Sequence, residues 1–121
     1  MFKERRAEKR YAKKLASVAT ITHCDEDPSL HGCPIKCETF SISGHGIQFR
    51  SDLQLQPGTL LSITIAYKPT ESYSVAGEVR WCKLENGEPT MAVQLLEDKD
   101  TDIEGWLELV STGIDKLTDL E

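Results

Sequence analysis

Through the middle of the chain, apolar residues recur at every second position, and that period admits strands and little else. Leu61, Ile63, Ile65 and Tyr67 alternate with Ser62, Thr64 and Ala66. Tyr73, Val75, Val79 and Trp81 alternate with Ser74, Glu78 and Arg80, and Met91, Val93 and Leu95 with Ala92 and Gln94. Successive strand side chains point to opposite faces, so each run has one face to bury. Shorter strand candidates lie near 16–24, 36–42 and 46–50. Asn86-Gly87 predicts a hairpin turn, because type I′ geometry needs positive φ at both positions. Pro57-Gly58 marks a second turn. Six short strands in series predict a mainly β chain, an antiparallel sheet closed into a barrel or folded as a sandwich. The βαβ alternation of a Rossmann-like nucleotide fold is absent. Residues 24–35 form the longest expected loop.

The two ends differ from this middle. Thr101 followed by Glu104 reads as a capping box. Ile103, Trp106, Leu107, Val110, Ile114 and Leu117 then recur at helical spacing, which predicts a closing amphipathic helix with Trp106 as its anchor. Gly113 weakens its last turns. At the other end, residues 1–14 hold seven lysines and arginines against two glutamates, a net of +5. The remainder holds seven against eighteen acids, a net of −11. An acidic body argues against a general nucleic-acid binder, and a basic arm on it suggests one local anionic partner or a solubilising tail.

A chain of 121 residues fits one domain. The expected division is a flexible basic arm over 1–14, a barrel over 15–100, and a helix and tail over 101–121. The first residues, MFKERRAEKR, do not read as a secretory signal, and no apolar run approaches the roughly 20 residues a membrane span needs. The expected location is the cytoplasm, where Cys24, Cys33, Cys37 and Cys82 are reduced.

No catalytic signature stands out: there is no GxSxG elbow, Walker loop, HExxH or GxGxxG. The scattered carboxylates read as surface charge, and no enzymatic activity is expected. His23, Cys24, His31, Cys33 and Cys37 have the chemistry of zinc ligands but irregular spacing, and reduced cysteines at strand ends also serve as small hydrophobes. No metal or other cofactor is assigned from the sequence.

Two further features carry more. Arg6 and Arg10 stand four apart, with Arg5 beside them, and Ser41-Ile42-Ser43-Gly44-His45-Gly46 lies between two strand candidates. In this order they resemble the PilZ family, whose members carry RxxxR in an N-terminal arm and then (D/N)xSxxG at a turn between early strands. Arg6 and Arg10 match the first motif, and Ser43 and Gly46 match the Ser and Gly of the second. PGT at 57–59, GEVRW at 77–81 and AVQL at 92–95 extend the likeness over nearly the whole chain. The resemblance implies a six-stranded antiparallel barrel with a C-terminal α-helix. It also implies a receptor for cyclic di-GMP that relays the signal to a protein partner in motility or biofilm machinery.

The ligand chemistry agrees. Guanine O6 and N7 form an acceptor pair that fits a guanidinium fork, and arginine also stacks on purines. Ser43 offers a hydroxyl to a phosphate or a guanine edge, and Gly46 is expected to turn the backbone at positive φ and let ligand approach. The family's first turn position is Asp or Asn, whereas here it is Ser41. Losing that acceptor is worth about 1–3 kcal/mol. Some PilZ proteins lack the motif residues and act as adaptors without ligand, which is the alternative reading. Trp81 shares the alternation of Val79, Val75 and Tyr73, which predicts barrel core or helix contact, with stacking on a base as the second reading. His45 is expected as a solvent-exposed turn residue. The binding set is Arg5, Arg6, Arg10, Ser41, Ser43, Gly46 and Trp81, with monomer and dimer both open.

Overall fold

The structure is a computed structural model and describes residues 15–24, 27–68 and 70–112. Arg5, Arg6 and Arg10, the rest of the arm, and the helix expected beyond position 112 lie outside the described residues. Six strands follow in order: β1 (Leu15–His23), β2 (Pro34–Ile42), β3 (Gly46–Ser51), β4 (Leu60–Lys68), β5 (Glu71–Glu85) and β6 (Glu88–Leu95). A 3-10 turn, Pro28–Leu30, and one helix, α1 (Ile103–Thr112), complete the described elements. The strands close in the order β1-β2-β3-β6-β5-β4, every neighbouring pair antiparallel. Closure pairs each strand on both sides, which removes the hazard of unpaired backbone at a sheet edge.

The period-two residues form the core. It is filled by Leu61, Ile63 and Ile65 of β4, Val75 and Val79 of β5, Met91, Val93 and Leu95 of β6, and Ile47 and Phe49 of β3, all buried. Gly77 of β5 belongs to the same inner face: a Cβ there would run into Val93 Cγ1. Both predicted turns are present. Asn86 and Gly87 take φ of 53° and 82°, and Gly58 takes 94°.

Helix α1 seats on β5 at one end of the barrel. Ile103, Trp106 and Val110 lie on one stripe and are buried, while Glu104 and Glu108 face solvent. Trp106 is wholly buried, its ring 6.0 Å from Tyr73, which in turn meets Tyr67 edge-on at 6.4 Å. Removing about 200 Å² of an indole from water contributes on the order of 5 kcal/mol before entropy is subtracted. This is the anchoring role expected of Trp106. The capping differs from the expected box by one residue. Asp102 supplies the first helical carbonyl, accepting from Trp106 N–H at 2.9 Å, while Thr101 Oγ1 accepts from Ile103 N–H at 3.3 Å.

Candidate functional site

The bend between β2 and β3 is held by serine. Ser43 N–H and its hydroxyl both donate to the Gly46 carbonyl, at 2.7 and 3.2 Å. This corrects the expectation for Gly46. It opens β3, paired with Gln94, and among the described residues the glycines at positive φ are Gly32, Gly58 and Gly87. The bend therefore does not need a left-handed glycine at 46, and what remains of its role is the absence of a side chain over the strand. His45 stands on the turn with 35% of its side chain exposed. It is partly buried and its Nε2 lies 2.9 Å from Glu97 Oε2, while its carbonyl accepts from Leu95 N–H at 2.9 Å. Both contacts tie the bend to the chain leaving β6.

Two β-bulges shape the outer surface beside this bend. In the β2–β3 ladder Thr39 faces Phe49 and Ser41 faces Gln48, so Phe40 is the extra residue. In the β5–β6 ladder Val79 faces Val93 and Trp81 faces Ala92, so Arg80 is the extra residue. A bulge moves every following side chain to the other face. Trp81 therefore points outward, 37% exposed, with Lys83 Nζ 5.0 Å from its ring centre. The core or helix-contact reading of Trp81 is thus overturned: the sequence alternation runs unbroken through Val79 and Trp81, but the ladder does not.

The consequence is a single row across four strands. Ser41 pairs with Gln48, Gln48 with Ala92, and Ala92 with Trp81. Ile42, Ile47, Phe49, Met91 and Val93 on either side are buried, so the row faces out. Neighbouring strands lie about 4.8 Å apart, so the row is roughly 14 Å long. Its middle, Ala92, is low, and Trp81 forms a wall at one end. The next row toward the bend is Gly46, Gln94 and Glu78. Cations flank this face: Arg50 lies over the Phe40 ring at 4.5 Å, and Arg80 stands 3.8 Å from Glu78.

The first residue after the arm is at the same place. Leu15 pairs with Thr39, two positions before Ser41, and its N–H donates to Thr39 Oγ1 at 2.9 Å. The structure therefore brings Ser41, Ser43, Gly46 and Trp81 to one end of the barrel, with Leu15 close to them. Arg5, Arg6 and Arg10 lie outside the described residues. Glu97 escapes a reading of the sequence, because 52 positions separate it from His45 and no local pattern links them.

The zinc candidates do not form one cluster, although the His23 and His31 rings lie side by side, 5.3 Å between centres. Cys37 is a core residue whose thiol is pushed up to about 12, mainly by burial. His31 Nε2 accepts from Cys24 N–H at 2.9 Å, so that nitrogen is already engaged. Among the described residues no group of three potential metal ligands gathers. Nor, among them, is any helix long and apolar enough to cross a membrane.

Comparison with known proteins places this architecture. No curated protein sequence matches the chain. Among solved structures, the PilZ domain of YcgR from Escherichia coli with c-di-GMP is similar at a TM-score of 0.66 and 10% identity, covering 96% of each chain. A second Escherichia coli structure, YcgR in complex with c-di-GMP, is similar at 0.69 and 12%, covering 96% of this chain and 48% of that one. The inhibitor of motility MotI (DgrA) from Bacillus subtilis is similar at 0.67 and 17%, covering 93% of this chain and 51% of that one. The chain thus spans about half the length of MotI and of the longer YcgR structure. The PilZ domain model matches residues 4–110, from the arm to the last turns of α1, and the chain belongs to the PilZ domain family.

Proposed function

We propose that the protein is a non-enzymatic cytoplasmic receptor for cyclic di-GMP. In this reading Arg6 and Arg10, with Arg5 beside them, close over the outer row next to the Ser41–Gly46 bend. The observation that carries it is the position of Leu15 against Thr39, which starts the arm beside the bend. Arg10 is five residues ahead of Leu15. Extended chain advances up to about 3.5 Å per residue, so Arg10 has on the order of 17 Å of reach, more than the row's length. The guanidinium forks meet guanine O6 and N7, and Trp81 offers a face to stack on. Ser43 keeps the bend closed so that backbone and the bare Gly46 present a fixed rim.

Ligand contacts must exceed the entropy of ordering the arm. The arm and ligand together then make a new surface for a protein partner, so the output is a change of shape. The related YcgR structures, which contain c-di-GMP, support this choice of ligand. The adaptor reading rests on Ser41, which replaces an Asp or Asn of the family motif. Calorimetric titration separates the two. Binding of cyclic di-GMP, preferred over GTP and cyclic GMP and nearly lost in Arg6→Ala and Arg10→Ala, supports the receptor. No heat and no melting shift at high micromolar ligand leaves the adaptor.

A further inference from the structure

Ser41 stands at one end of the outer row, and its short hydroxyl reaches little beyond the strand. The residue directly across from it is Gln48. Ile47 and Phe49 are fully buried on either side, so Gln48 projects from the outer face. Directly opposed residues on antiparallel strands have Cβ atoms about 5 Å apart, so the two side chains cover the same patch. Gln48 is half-buried, and among the described residues its amide makes no hydrogen bond or ion pair. Its amide is not among the buried atoms left without a partner, so water reaches it and a ligand can displace that water.

We infer that Gln48 reads the base edge of the ligand, supplying from β3 a longer-reaching acceptor than the Ser41 hydroxyl offers from β2. This rests on the receptor reading above. A purine lying over Ala92, with Trp81 at one side, turns an edge toward Gln48. The amide carbonyl accepts from guanine N1–H while the amide N–H donates to O6. A neutral amide does this without repelling the ligand's phosphates. Glu97 is the rival acceptor near the bend, but it already holds His45 and carries a like charge. The amide has a further consequence. It can rotate to satisfy either purine, whereas a carboxylate accepts only and favours guanine N1–H and N2–H over the adenine edge. Gln48 therefore adds affinity, and the arginine forks carry most of the guanine preference.

The test is calorimetric titration of the full chain with cyclic di-GMP and cyclic di-AMP. Gln48→Met keeps the stem and removes the amide on an outward strand position. It should weaken cyclic di-GMP binding by about ten- to a hundredfold. Adding Ser41→Asp to that variant should restore cyclic di-GMP binding and leave cyclic di-AMP weak. If wild type binds neither nucleotide, the receptor reading falls and this inference with it. If wild type binds cyclic di-GMP and Gln48→Met binds it equally well, only the role of Gln48 is overturned. A double variant as weak for cyclic di-GMP as Gln48→Met also overturns it, because the loss was then not one of an acceptor.

Discussion

Asp102 closes a two-bond ring with the backbone of Ser74: its N–H donates to the Ser74 carbonyl at 2.8 Å, and its Oδ2 accepts from the Ser74 N–H at 2.9 Å. β6 ends at Leu95, which leaves that stretch of β5 without a strand on one side. Leu96 N–H to the Ala76 carbonyl, at 2.9 Å, and then Asp102 fill the vacant ladder positions. The same residue begins α1, so one carboxylate fixes the helix to the barrel.

Asp102→Ala should therefore destabilise the protein by about 1–2 kcal/mol, the loss of the charge-assisted bond from Ser74 N–H. Asp102→Asn, which keeps an acceptor, should lose less. Urea unfolding measures both, and an alanine variant as stable as wild type would show that the ring contributes nothing.

Gly77→Ala should cost about 1–3 kcal/mol, since a methyl at 77 meets Val93 Cγ1 and has the Gln94 carbonyl only 3.3 Å away. Val93 cannot swing aside, because β-branching restricts its rotamer. In a Gly77→Ala, Val93→Ala pair the two penalties should add to more than the double variant loses. Strict additivity would place the clash elsewhere.

Thr90→Val should stabilise the protein by about 1 kcal/mol, the cost of an unsatisfied hydroxyl recovered. Thr90 is buried, and among the described residues no hydrogen-bond partner reaches its Oγ1. Valine keeps the shape and the β preference. A lower melting temperature would mean that a partner completes that hydroxyl.

The strands are legible in the sequence because one face of each is buried, and burial writes a period of two. The barrel's closing helix is legible for the same reason, through Ile103, Trp106 and Val110. The two bulges are not. Phe40 and Arg80 are ordinary residues at their positions, and a bulge changes the pairing partner without breaking the alternation. Following the sequence phase past Arg80 puts Trp81 on the wrong face. Gly46 misleads differently: glycine permits positive φ, but permission is not use, and Ser43 closes the bend instead. The pairs that join distant segments, His45 with Glu97 and Ser74 with Asp102, have no local signature at all.

Thiol reactivity should divide the cysteines. Burial lifts the Cys37 thiol from 9.0 to about 12, with the charge of Asp52 adding to it and a backbone bond from Ala19 opposing. The folded pKa is raised, so the stability from keeping this thiol neutral is whole below about pH 9 and is lost as pH climbs toward 12. Cys33 and Cys82 are half-buried and should react with a disulfide reagent first, while Cys24 and Cys37 wait for unfolding. Cys37→Ala should flatten the alkaline loss of stability, and an unchanged slope would place the titrating group elsewhere.

The two tryptophans should separate cleanly in a quenching experiment. Trp106 is fully buried in the helix seat and Trp81 stands on the outer face, so iodide should quench one component of the emission and spare the other. Trp81→Phe should remove the quenchable component. Trp81→Ala should change stability by about 0.5 kcal/mol, against about 3–5 kcal/mol for a core tryptophan. Saturating cyclic di-GMP should shield the Trp81 component, because a base stacked there excludes iodide. If ligand binds and the quenching is unchanged, the base lies elsewhere and Trp81 is no part of the site.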